Sequence, residues 1–96
     1  MKIAEIKEDS RKVNVTAKVS KISEPKNVNT SRGESRVAEA TIEDETGSII
    51  LNLWNEQIDM VKEGDTIEVV NGYVNTYRGV KRLNVGRYGE LHVKEE

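Results

Sequence analysis

Residues 71–89 carry Arg78, Lys81, Arg82 and Arg87 without a single Asp or Glu, and they also hold Tyr73, Tyr77 and Tyr88. Those are three of the four aromatic residues in the chain; the fourth, Trp54, stands between Asn52 and Asn55 in the run Asn52-Leu53-Trp54-Asn55. Rings interleaved with cations suit a groove for single-stranded nucleic acid. Bases stack on aromatic faces for about 1–3 kcal/mol each, and cations track the phosphates. The net charge of −2 conceals this patch and taken alone argues against nucleic acid. Outside residues 71–89 there remain 11 basic and 17 acidic groups, so a patch of +4 sits on a body of −6. Lys26, Arg32 and Arg36 add a second, weaker concentration, opposed by Glu24 and Glu34.

Other chemistries lack their residues. The absence of Cys excludes disulfides, thiolate zinc sites and cysteine nucleophiles, and one His (His92) is too few for a His-based zinc site or a Ser-His-Asp triad. Glu43, Asp44 and Glu45 are adjacent, but alternation along a strand sends neighbours to opposite faces, so they read as a polar turn rather than a cation site. No Walker loop, HExxH pair or nucleophile elbow occurs. The expectation is a non-enzymatic binding module with no catalytic residue, metal or cofactor. The longest apolar runs are a few residues, and the start MKIAEIKEDS lacks an apolar signal core. A cytoplasmic, nucleoid-associated protein with no membrane partner is expected.

The elements that must position Trp54 and the tyrosines are strands. At 96 residues the chain makes one domain, with residues 1–11 as a cap or arm and 90–96 as a short extension. Val and Ile number 20 against 4 Leu, and 6 Thr add further β-branching, which fits the pleated surface of a sheet better than a helix. Val13, Val15, Ala17 and Val19 alternate with polar residues over 12–22, a half-buried strand. Residues 23–35 are polar, with Pro25 and Gly33, and read as a long loop or splayed hairpin tip. A second strand over 36–44 turns Ala38, Ala40 and Ile42 inward, and Asp44-Glu45-Thr46-Gly47 is a turn. The third, 48–54, buries Ile49, Leu51 and Leu53. A short helix over 55–63, capped by Asn55 and ended by Gly64, follows. A fourth strand over 65–77 bends at Gly72, Arg78-Gly79 turns into a fifth over 80–85, and 88–94 adds an edge strand.

Five strands with a helix between the third and fourth predict an all-β, five-stranded Greek-key barrel of the oligonucleotide/oligosaccharide-binding (OB) type, which binds along strands two and three and their neighbouring loops. The helix position argues against an SH3-like barrel. Alternation places Trp54 with Asn52 and Ile50 on the outer face, opposite Leu51 and Leu53, so core packing is the weaker reading for this ring. Tyr73 and Tyr77, four apart, share a face; the competing role for Tyr73 is packing beside Gly72, and Tyr88 reads as packing or edge cover.

The runs VNVTAKV, EDETGSIILNLWNEQ and VKEGDTIEVVNGYVNTYRGVKRLNVG resemble the single-OB-fold single-stranded DNA-binding proteins of archaea, over about residues 10–88. The human counterparts in the SOSS complex and the OB domains of archaeal replication protein A are similar. The resemblance implies three stacking aromatics at Trp54, Tyr73 and Tyr77, where other members often carry Trp and Phe at the last two. It implies phosphate contacts from Arg78, Lys81 and Arg82, and places Arg32 and Arg36 in or beside the variable first loop. Several members continue into a tail that recruits other proteins; residues 1–96 hold no such Gly/Arg-rich segment.

The expected function is therefore largely sequence-independent binding of single-stranded DNA in replication, recombination or repair. Trp54, Tyr73, Tyr77, Arg32, Arg36, Asn52, Arg78, Lys81 and Arg82 are the expected contacts. Replication or repair proteins are expected partners, and a monomer is favoured. Four neutralised phosphates would give a salt slope near about −3, at about −0.7 each. The alternatives are an RNA-binding OB domain, or a protein-interaction subunit whose contact is Trp54 with Ile50.

Overall fold

A computed structural model describes residues 2–31, 33–86 and 89–94. Strand β1 (Arg11–Ile22) alternates as its sequence demands, with Val13, Val15, Ala17 and Val19 buried and the residues between them exposed. It is long enough to serve two neighbours. Up to Lys18 it pairs antiparallel with β5 (Thr66–Tyr77), and from Lys18 onward with β3 (Gly33–Asp44), the register shifting between Val19 and Lys21. β3 turns through Asp44 and Gly47 into β4 (Gly47–Trp54), antiparallel to it. β4 then pairs parallel with β6 (Val80–Asn84), and β6 antiparallel with β5, so that β1, β3, β4, β6 and β5 close a five-strand ring. The ring is the five-stranded barrel that the strand count and the helix position predicted.

Two further strands lie outside the ring. β2 (Lys26–Thr30) pairs with the first residues of β3, so the polar segment is the hairpin of the two readings above. It pairs on one side only and buries no full face, so it shows no apolar period. β7 (Glu90–Lys94) lies along β5 as the expected edge strand. Inside the ring, Ala40, Ile42, Leu51, Leu53, Ile67, Val69 and Leu83 are fully buried. Burying a Val-, Leu- or Ile-sized side chain contributes about 1.5–3 kcal/mol, which is why strict alternation decides the register.

The helix differs from expectation. α1 spans only Glu56–Met60. Asn55 makes no capping bond; its Oδ1 accepts from the Arg36 N–H at 2.9 Å while its own N–H donates to the Arg36 carbonyl. Val61 is already extended and buried with the core, so apolar demand pulls the chain out of the helix early. Gly64 instead serves the turn before β5, with φ 94°.

The opposite end of β4 is closed by the N-terminal 3₁₀ turn Ile3–Glu5, which brings buried Ile3 and, just after it, Ile6 to the core. Asp44 holds it. Its Oδ2 accepts from the Ile3 N–H at 2.9 Å, and its Oδ1 accepts from the N–H groups of Thr46 and Gly47 and from the Thr46 hydroxyl. These donors, the Thr46 hydroxyl first, lower the Asp44 pKa from 3.8 to about 2. Lys2 pairs with Glu45 across the same turn.

Candidate nucleic-acid interface

β5 bends where Asn71 takes φ 56°, and the next residue has to be glycine. A Cβ on Gly72 would stand 2.9 Å from the Asn84 carbonyl oxygen and 2.9 Å from Val69 Cγ1. Beyond the bend Tyr73 still pairs with Arg11 of β1, and from Asn75 the strand continues with β6 alone, carrying Tyr73, Asn75 and Tyr77 on its outer side while Val74 stays buried. Tyr73 is 44% and Tyr77 57% exposed, unusual for tyrosines that only pack. The Tyr73 ring rests on Gly86, where a Cβ would come within 3.0 Å of it.

An open groove of about 520 Å³ runs across the outer face. Its walls include Trp54 from β4 and Tyr77 from β5, joined by Val28 and Asn29 of β2 and by Val37, the cross-strand partner of Trp54. Glu39, Asn52, Asn75 and Arg82 also line it. Trp54 is half-buried, and its backbone N–H is tied to Gln57 Oε1 at 3.0 Å. Asn52 Nδ2 donates to Asn84 Oδ1 at 3.0 Å, and Asn84 Nδ2 donates to Asn75 Oδ1 at 3.1 Å. Asn84 is the one buried polar residue among those described, at 4% exposure. Arg82 pairs with Glu39, and both Arg82 and Arg78 stand over the Tyr77 ring, their guanidinium carbons 5.9 and 5.3 Å from its centroid.

The structure thus brings Trp54, Tyr77, Asn52 and Arg82 into one groove, with Arg78 against Tyr77 and Tyr73 exposed on the same strand face. It does not bring the other cations there. Lys81 lies in phase with buried Leu83, and its ammonium donates to the Ile6 carbonyl at 3.2 Å. Arg36 is paired with Asp59 of α1 at 3.2 Å. Arg32, Arg87 and Tyr88 lie outside the described residues. Among residues not singled out in the sequence, Val37 and Glu39 share the outward phase opposite Ala38 and Ala40, and Asn75 shares that of Tyr73 and Tyr77. Period-two counting along those strands was the available signal. Val28 and Asn29 needed the β2 pairing, and Asn84 the parallel pairing of β4 with β6.

Residues 6–93 match the family model for Ssb-like single-stranded DNA-binding proteins of the OB fold. The chain belongs to this family. It is 33% identical over 85 residues to the single-stranded DNA-binding protein Ssb of Saccharolobus solfataricus, a match covering 88% of this chain and 57% of that protein, so it spans little more than half of that relative. Among solved structures, the second OB-fold domain of replication protein A from Methanococcus maripaludis superposes with a TM-score of 0.80 at 28% identity, covering 100% of this chain and 95% of that one. An OB domain from Thermoplasma acidophilum, 21% identical, shares the fold with a TM-score of 0.83 over 100% of this chain and 87% of that one. The family is one of binding proteins rather than enzymes. Among the described residues no cluster of His, Asp and Glu is arranged to hold a metal ion, and no helix is long and apolar enough to cross a membrane.

Proposed function

We propose that the chain binds single-stranded DNA in the groove between β2 and β6 and does no chemistry on it, acting in replication, recombination or repair. Bases stack on Trp54 and Tyr77, and Tyr73 extends the path along β5. The observation that carries this reading is that Trp54 and Tyr77, from different strands, wall one open groove in an Ssb-like barrel. Arg78 meets phosphates, and Arg82 does so by exchanging Glu39 for them. Arg36 and Lys81 contribute less than their charges suggest, because Asp59 and the Ile6 carbonyl hold them elsewhere. The expected salt slope is correspondingly shallow: two phosphates give about −1.4, and a value near −3 would mean that cations of the β2–β3 hairpin, Lys26 and Arg32, take part.

Trp54 is the only Trp, so its fluorescence reports on the groove. Titration with oligo-dT at two salt concentrations should quench it, less so at the higher salt, and duplex DNA should leave it unchanged. Equal quenching by oligo-U would extend the ligand to RNA, since stacking does not inspect the 2′-hydroxyl. No quenching of the folded protein by any strand would overturn the proposal.

A further inference from the structure

Asn52 and Asn75, which line the groove, are joined through buried Asn84 into a directed chain. Asn52 donates to Asn84 and Asn84 to Asn75. A fourth group favours this direction: Asn84 Nδ2 also faces the Arg82 carbonyl at 3.4 Å, and a carbonyl only accepts. Asn84 spends both ends of its amide inside the protein. Its neighbours do not. Among the described residues, Asn52 keeps its Oδ1 and Asn75 its Nδ2 without a protein partner.

The two free ends are chemically opposite. Asn52 Oδ1 is an acceptor, on the strand of Trp54 and cross-strand from Glu39, whose carboxylate also only accepts. Asn75 Nδ2 is a donor, two residues from Tyr77 and cross-strand from Arg82, whose guanidinium is itself paired with Glu39. A stacked base presents its edge to whatever lies beside the platform, and single-stranded bases are read on those edges. Acceptors suit the exocyclic amino group of cytosine or adenine. Donors suit the carbonyl oxygens of thymine, uracil or guanine.

We infer that the groove reads base edges in order along the strand, taking an amino-bearing base at the Trp54 end and a carbonyl-bearing base at the Tyr77 end. The inference rests on the single-stranded DNA-binding reading and deepens it. Stacking alone is indifferent to base order; the asparagine chain is not. Because a strand lies in a groove with one polarity, one order of a mixed sequence brings the C4 amino group of cytosine and the C4 carbonyl of thymine to their matching ends, and the reverse order brings each to the wrong end.

The test compares d(CCCTTT), d(TTTCCC), dC6 and dT6 by Trp54 fluorescence on the full chain. One mixed strand should bind about three- to tenfold tighter than its reverse, as one or two net hydrogen bonds give. The disfavoured order should slide into an all-C or all-T register and match the homopolymers. Asn75→Asp keeps the acceptor that Asn84 uses and replaces the free donor with an acceptor. It should erase the order preference, whatever its added charge does to overall affinity. All four strands binding within about twofold, with quenching intact, would overturn the ordered reading and leave stacking standing. A preference that survives Asn75→Asp would also overturn it. Loss of all binding by the folded wild type would remove the DNA-binding proposal itself.

Discussion

Two hydrogen-bond networks sit at either end of β4, and they are finished differently. At its start, Asp44 accepts four bonds from the turn and the N-terminal segment, leaving that side chain committed to the fold. Around its end, the asparagines and the two aromatic walls leave an amide oxygen, an amide nitrogen and ring faces open. Both networks lie over the same apolar interior. The difference teaches that a saturated polar cluster reads as architecture and an unsaturated one, on a face that the described residues leave open, as a binding surface.

That contrast can be broken by substitution. The largest expected effect is Trp54→Ala, which should weaken single-stranded DNA binding by about 1–3 kcal/mol and leave a cooperative unfolding transition. The tryptophan signal is lost in this variant, so an end-labelled oligonucleotide and anisotropy are the measurement. Unchanged affinity would show that the groove is not the binding surface. Glu39→Gln should act in the opposite direction and more weakly. It removes a carboxylate from the groove and frees Arg82, so affinity should rise by up to about 1 kcal/mol at low salt, and the gain should shrink as salt is added.

The smallest effect at neutral pH lies at the saturated end. Asp44 has its pKa lowered in the folded state, so its ionised form stabilises the fold fully above the ordinary value of 3.8, and this contribution is lost as pH falls toward about 2. The wild-type thermal midpoint should therefore drop through that window more steeply than that of Asp44→Asn. Affinity for oligo-dT at pH 7 should be the same in both. A loss of affinity in Asp44→Asn would couple the two networks and dissolve the distinction between them.

Most of the barrel was legible because its strands obey one rule. Val13 to Val19, Ala38 to Ile42 and Ile49 to Leu53 alternate without interruption, and the same count put Trp54 outside the core. Where the rule has no purchase, less could be read. β2 carries a single apolar residue, Val28, so its segment read equally as a loop or a hairpin tip, and α1 ends early because Val61 is drawn into the core, a tertiary demand invisible in local spacing. The cations of the basic patch are divided for a related reason. Lys81 and Arg82 are adjacent, so a strand must send them to opposite sides, and Arg36 meets Asp59 only once α1 is folded beside it. The asparagine chain joins three strands through a parallel pairing, which no spacing along the sequence discloses.

The bend at Gly72 divides β5 into unequal halves. Residues before it are held by β1 on one edge and β7 on the other, whereas Asn75 to Tyr77 are held by β6 alone. A ladder gripped from one edge opens at lower free energy than one gripped from both. Amide protons at the far end of β5 should thus exchange with deuterium sooner than those around Val69, and slow down when a strand is bound. Tyr77 would then stand on a lever, and part of the affinity would be set by the entropy of stilling that lever rather than by any contact it makes.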